Sequence, residues 1–244
     1  MTRKAVLIEA SEVEGQDPLP GALRDVANLK SWLMSSAGGA WDESEIVVLH
    51  TPTVGLVLAH INDARRASYA FVTFSGHGEH PARGEHDDTR VTLAGGTLRA
   101  AELNCGADRC TVLIDACRYV AEQAFTESFA KSVTANKYAM DSTRQAHRAA
   151  FDAQVAKTDK GVVYMYSCGI TEFAGESSQS GGYYTHSLIL QGEMWYSSSQ
   201  VGVVYDTRVA HENAALNVTR RVPQQHPEYA AGRRMKHPPF AVRA

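Results

Sequence analysis

The sequence predicts an α/β fold in which a mostly parallel sheet carries helices on both faces. Two patterns predict it. Short apolar runs rich in Val, Ile, Tyr and Phe recur along the chain, and they are continuous rather than alternating, as strands buried on both faces should be. Helix-like patterns fall between them, and alternation of strand with helix is the mark of a doubly wound sheet. Size agrees: 244 residues, 44% of them hydrophobic, suffice to bury roughly 70% of the unfolded surface without staples. The chain reads as a single domain, 1–244, with no internal repeat, low-complexity tract or Pro/Ser-rich linker.

The elements follow in order. Lys4–Ile8 reads as the first strand. The four apolar residues before Glu9 are too short for a signal peptide, and no run approaches the ~20 residues that cross a bilayer, so the expectation is a cytoplasmic protein with no membrane partner. Pro20-Gly21 starts a helix whose face is Leu23, Val26, Ala27, Leu29, Trp32 and Leu33. Glu45–Leu49 is a strand, Val54–Ala64 a helix and Tyr69–Phe74 a strand. Segment 79–97, with Gly84, Glu85, Asp87, Asp88, Gly95 and Gly96, reads as an irregular loop or surface hairpin. Cys110–Ile114 and Val162–Tyr166 are strands. Between them, segment 119–160 is polar, Ala-rich and basic (Lys131, Lys137, Arg144, Arg148, Lys157, Lys160), and reads as helix with loop in a long solvated crossover. Tyr183–Tyr196 and Tyr205–Val222 read as helices, the latter stopped by Pro223. Both insertions follow the C-terminal end of a strand, the edge where open α/β sheets bind ligands.

Charge excludes some functions. Twenty-four Lys+Arg against 27 Asp+Glu leave a net −3, which gives no electrostatic reason to expect nucleic acid. No nucleotide-binding glycine motif follows a strand. The cysteines are Cys105, Cys110, Cys117 and Cys168, too few for a disulfide scaffold. Cys105 and Cys110 have no second pair at zinc spacing, and His77, Glu79, His80, Glu85, His86 and Asp87 lack the i, i+4 pair of a helical zinc motif, so no metal site is expected. One or two thiols should do chemistry; the others, Cys168 among them, should pack as small hydrophobes.

Two strands end in reactive residues: Phe74-Ser75-Gly76-His77-Gly78 and Ile114-Asp115-Ala116-Cys117-Arg118. If these strands are parallel neighbours, His77 and Cys117 meet at one rim of the sheet although 40 residues separate them. An imidazole that takes the thiol proton makes the sulfur a strong nucleophile, and can later protonate a leaving amine. Gly78 lets backbone approach a substrate, and its N–H and that of Cys117 are donors for a developing oxyanion.

These two segments, in this order and spacing, resemble the catalytic motifs of caspase-like cysteine peptidases, especially the metacaspase and bacterial orthocaspase branch. The likeness extends over nearly the whole chain: Lys4–Ile8 with Leu19–Val26 resembles the family's first strand and helix, 167–185 its late substrate-side loop, and 224–229 its closing segment. The resemblance implies a three-layer α/β/α caspase-like fold around a six-stranded sheet whose final strand is Phe240-Ala241-Val242. It implies His77 as general base and acid and Cys117 as the nucleophile that forms a thioester. It places Asp115 and Ser75 in the pocket for the residue before the scissile bond, with Glu172, Glu176 and Glu12 adding negative charge. Aspartate-specific relatives have Gln in place of Asp115 and an arginine in a late Ser-Trp-Arg motif. Here the late motif is Ser167-Cys168-Gly169. A substrate carboxylate buried beside Asp115 without a cation would be costly, so cleavage after Arg or Lys is expected. The Ala116-Cys117-Arg118 continuation departs from the metacaspase pattern toward caspases, which keeps cleavage after Asp as an alternative; a catalytically silent protein-binding module is another. No cofactor is required by the resemblance, which allows Ca2+ activation through Glu85 and Asp87-Asp88. It also suggests 119–160 as an intersubunit-type linker open to self-cleavage, and a protein substrate such as a pore-forming gasdermin-like effector. Monomer and dimer both stay open.

Overall fold

The computed structural model describes residues 1–81, 88–119 and 143–244. In chain order the elements are β1 (Arg3–Ala10), α1 (Pro20–Met34), β2 (Ile46–His50), α2 (Val54–Ala64), β3 (Tyr69–Gly76), β4 (Gly78–Glu79), β5 (Arg90–Leu93), β6 (Gly96–Arg99) and β7 (Arg109–Asp115). They continue with α3 (Thr143–Lys157), β8 (Gly161–Tyr166), β9 (Glu176–Ser177), β10 (Gly181–Gly182), α4 (Tyr183–Ser198), β11 (Val204–Asp206), α5 (Thr207–Arg221), β12 (Glu228–Ala230) and β13 (Pro239–Val242).

Six strands form the central sheet in the order β12-β8-β7-β3-β1-β2. All pairs are parallel except β12–β8. Apolar side chains on both faces explain the continuous hydrophobic runs. Ala5, Leu7, Tyr69, Phe71, Leu113, Val163 and Met165 pack with side chains of α1, α3, α4, α5 and β13. Val6, Ile8, Ala70, Val72, Phe74, Val112 and Ile114 turn the other way, toward Val57 and Ile61 of α2 and Val91, Leu93 and Leu98 of β5 and β6. Each fully buried Leu, Ile or Phe contributes about 1.5–3 kcal/mol. Local signals set the helix starts. Pro20 occupies the first turn of α1, Thr53 accepts from Leu56 N–H to cap α2, and Asp206 accepts from Arg208 and Val209 N–H to cap α5. Among the described residues no helix is long and apolar enough to cross a membrane.

Three expectations are corrected. The sixth strand is Glu228–Ala230, not Phe240–Val242; the latter lies in β13, which pairs antiparallel with β11 outside the main sheet. Its apolar side chains serve the helical layer instead, with Phe240 stacked on Trp32 at 5.3 Å between ring centroids. The hairpin in 79–97 exists as β5–β6, but Val91, Leu93 and Leu98 are buried, so it covers the sheet rather than lying on the surface. In the basic segment, residues 120–142 lie outside the described residues, and with them Lys131 and Lys137. Arg144 and Arg148 are anchors rather than a solvated face. Arg144 donates to the carbonyls of Met34 (2.6 Å) and Trp41 (2.5 Å), and Arg148 grips Glu45 with both Nη atoms at 2.8 and 2.6 Å.

Candidate active site

Strands β3 and β7 are parallel neighbours, and their last paired residues are Ser75 and Asp115. His77 and Cys117 each stand two residues beyond that pair, so both emerge at the same rim. The two loops touch. A Cβ on Gly78 would lie 2.7 Å from the Cys117 carbonyl oxygen and 2.9 Å from the Ala116 Cβ. Only glycine lets the segment after His77 press against the segment that carries the thiol.

His77 is half-buried, and its Nε2 lies 2.6 Å from the backbone carbonyl of Asp17. A carbonyl only accepts, so Nε2 carries the proton and Nδ1 is the basic nitrogen. The carbonyl belongs to the loop between β1 and α1, which Leu19 N–H to Ser11 O (2.9 Å) closes, and which also exposes Glu12. The Cys117 sulfur accepts from Ala174 N–H at 3.3 Å and lies 3.8 Å from the Ala174 carbonyl oxygen. Burial pushes its pKa up. Its hydrogen bonds run to Ala174.

Arg118 fixes the other side of the cysteine. It is fully buried, donates from Nε to Thr89 Oγ1 (2.9 Å) and from Nη1 to the Cys168 carbonyl (3.2 Å) and Glu228 Oε2 (2.5 Å), and lies 4.1 Å above the Tyr166 ring. Its N–H donates to the Glu172 carbonyl at 3.0 Å. Gln225 ties the same late loop down, donating to Ser167 O (2.9 Å) and accepting from Gly175 N–H (3.1 Å). Within the loop, the Glu172 carboxylate accepts from Gly169 N–H (2.9 Å) and His226 N–H (2.7 Å) and lies 2.7 Å from His226 Nδ1. Burial pushes that carboxyl up, but the His226 and Gly169 N–H groups and the His226 ring outweigh it and hold it below its ordinary value. Glu172 is therefore a loop staple in this conformation. Cys168 is wholly enclosed and packs as expected.

Beside His77 and Cys117 lies a second cluster. Asp25 on α1 accepts from Ser75 Oγ (2.5 Å) and Gly182 N–H (2.8 Å). Asp115 accepts from Thr185 N–H (3.0 Å) and Oγ1 (2.7 Å) at the start of α4. Glu176 accepts from Gly21 N–H at 3.3 Å. The β10 glycines make this packing feasible: Cβ atoms on Gly181 and Gly182 would lie 2.2 Å from Asp25 Oδ1 and 2.3 Å from Asp115 Oδ2. All three carboxyls have raised pKa values. Burial raises Asp25, and the charge of Asp115 raises it further; burial raises Asp115; burial raises Glu176, again with help from Asp115. Among the described residues no Lys or Arg forms an ion pair with any of them.

Sequence reasoning named Ser75, Asp115 and Glu176 but missed Asp25. A signal was present: Asp25 stands four and seven residues before Leu29 and Trp32, on the apolar stripe of the first helix. Among the described residues no three His, Cys, Asp or Glu side chains gather as a metal site. Glu85 and Asp87, weighed for calcium, and His86 lie outside the described residues.

A family model described as "Caspase domain" matches residues 2–234. No curated protein matches the chain. The chain belongs to the caspase domain family, and it is in general terms a cysteine-type peptidase acting on protein substrates.

Proposed function

We propose that His77 and Cys117 form the catalytic dyad of an endopeptidase that cleaves after Arg or Lys. The observation that carries this reading is the trio Asp25, Asp115 and Glu176. Two buried carboxyls and a half-buried third, with no cation paired to them among the described residues, make a poor structural device, because neighbouring charges raise the cost of ionising a buried acid. They make a good receptor for a guanidinium or ammonium, which would bring the missing charge. Ser75 orients Asp25 within the pocket, and Glu172 shapes its wall by pinning the loop.

In the proposed cycle, the sulfur first exchanges its hydrogen bonds with Ala174 for the imidazole. Nδ1 of His77 takes the Cys117 proton, and the sulfur attacks the carbonyl carbon of the basic residue. The N–H groups of Gly78 and Cys117 face the developing oxyanion. His77 then protonates the departing amine as the C–N bond breaks, leaving a thioester that water hydrolyses. Linkers rich in Lys or Arg would be natural substrates, including segment 119–160 of the chain itself or the linker of a pore-forming effector.

The test is turnover of fluorogenic peptides ending in Arg, Lys or Asp, with and without calcium, beside labelling by an electrophilic peptidyl ketone. The expected result is turnover of the Arg and Lys peptides and an adduct on Cys117. Turnover of the Asp peptide alone would overturn the specificity. Absence of both turnover and adduct would make the chain a silent binding module. Intact masses of wild type and Cys117→Ala under turnover conditions report self-cleavage, and equal intact masses would remove it.

A further inference from the structure

The proposed chemistry uses one of the four cysteines, and a pair of the others lies at the opposite end of the same strand. Cys110 is the second residue of β7, and Cys117 follows its far end. The Cys105 and Cys110 sulfurs are 3.8 Å apart and share a hydrogen bond. Cys110 is fully enclosed and held by its register with Ala70 of β3 and Val162 of β8. Cys105 sits in the turn before the strand. Its neighbours Asn104 and Gly106 are exposed, Gly106 N–H donates to Asn104 Oδ1 (3.1 Å), and Gly106 has φ +71. Cys105, 6% exposed against 0% for Cys110, is thus the less enclosed member and the one whose turn can shift.

We propose that Cys105 and Cys110 are an oxidisable dithiol, distinct from the catalytic sulfur, that closes to an intrachain disulfide when a hydroperoxide attacks Cys105. The Cys105 thiolate attacks the peroxide oxygen, the O–O bond breaks, and the alcohol (water, for hydrogen peroxide) leaves after taking a proton. The product is a sulfenic acid on Cys105. The Cys110 sulfur then attacks Cys105, the S–S bond forms, the S–O bond breaks, and hydroxide leaves as water with the Cys110 proton. Two thiols are oxidised, and one hydroperoxide is reduced. Closure shortens a 3.8 Å contact to about 2 Å, within reach of a turn that contains glycine.

The contact between the two sulfurs favours Cys105 as the attacking member of the pair. The hydrogen bond shared with Cys110, acting against burial and helped by the Ala107 N–H, lowers Cys105 below the ordinary thiol value. Burial pushes Cys117 and Cys168 up, and Cys110 is raised by the hydrogen bond with Cys105 and then by burial. The thiolate, not the thiol, is the form that reacts with peroxide.

The experiment treats the reduced full-length chain with hydrogen peroxide, alkylates remaining thiols under denaturing conditions, and maps tryptic peptides. Cleavage after Arg109 separates the two cysteines into peptides 100–109 and 110–118. The expected result is loss of two alkylatable thiols, a mass decrease of about 2 Da, and a linked pair of these peptides that dithiothreitol separates. Because the second peptide also contains Cys117, the link is repeated in Cys117→Ala and must persist there. It must vanish in Cys105→Ser and in Cys110→Ser. Consumption of Cys117 or Cys168 while Cys105 and Cys110 still alkylate would overturn the proposal, as would a link that survives Cys105→Ser.

Discussion

Charged side chains gather at both ends of the central sheet, under different rules. At the N-terminal end of β1, Arg3 is fully buried. Its Nε lies 3.2 Å from Asp152 and 3.8 Å from Glu45, its Nη1 donates to Gly39 O (2.9 Å), and its guanidinium lies 4.8 Å from the Trp41 ring centroid. Arg148 adds a second cation against Glu45 and Asp42. Every acid there faces a base. At the C-terminal end of β7, Asp25, Asp115 and Glu176 face hydroxyls and backbone N–H groups, and among the described residues no cation pairs with them. The first cluster closes the fold. The second leaves the imbalance on which the proposed cationic specificity rests.

The largest expected effect breaks the second end entirely. Cys117→Ala and His77→Ala should each lower kcat by about 10^4-fold or more, the scale of losing a nucleophile or its base. Equal unfolding midpoints for wild type and variants would show that the loss is chemical. Next, Asp115→Asn should lower kcat/KM for an Arg peptide by about 10^2-fold, since removing one partner of a desolvated ion pair costs about 2–5 kcal/mol. The same change relieves like-charge crowding, so stability should hold. Asp25→Asn should behave alike. A parallel loss of stability and specificity would assign these acids to the fold.

The mirror experiment is Arg3→Met. Its partners are partly exposed, so the loss should be about 2–3 kcal/mol of stability rather than the upper end for buried pairs. Chemical denaturation measures it, and kcat/KM of the folded fraction should not move.

How much of this contrast the sequence revealed depends on range. The five parallel strands are legible because each is a local apolar run, and His77 and Cys117 are legible because parallel order brings their strand ends together. Glu228–Ala230 escaped detection because an edge strand of three part-exposed residues has no apolar run. Phe240–Val242 was placed in the sheet by the family resemblance alone; it is a strand, but its buried side chains serve the helical layer. The partners of Arg118, namely Thr89, Cys168 and Glu228, lie 29, 50 and 110 residues away, so no local pattern reports them. Asp25 was visible only as an acid on an apolar stripe until Gly181 and Gly182 brought the β9–β10 hairpin against it.

The smallest effect separates the two ends by pH. Folded-state pKa values of Asp25, Asp115 and Glu176 lie above their unfolded values. The folded chain therefore holds those protons more tightly, and this contribution to stability is full below the unfolded pKa and is lost as pH rises through the folded values. Glu45 has the opposite sign. Burial pushes it up, but hydrogen bonds from Arg148 and Asp42 N–H and the charge of Arg3 bring it below its ordinary value. Its contribution is present above the unfolded pKa and fades as pH falls through the folded one. Denaturation midpoints measured across the acid range should thus fall on both sides of a maximum. Asp25→Asn should flatten the arm above that maximum, and Glu45→Gln the arm below it. A cationic ligand in the acidic cluster should flatten the upper arm as well, because it stabilises the charged carboxylates that burial disfavours. If Asp25→Asn leaves the upper arm unchanged, the carboxyls are not crowded, and the electrostatic case for a basic substrate residue fails with them.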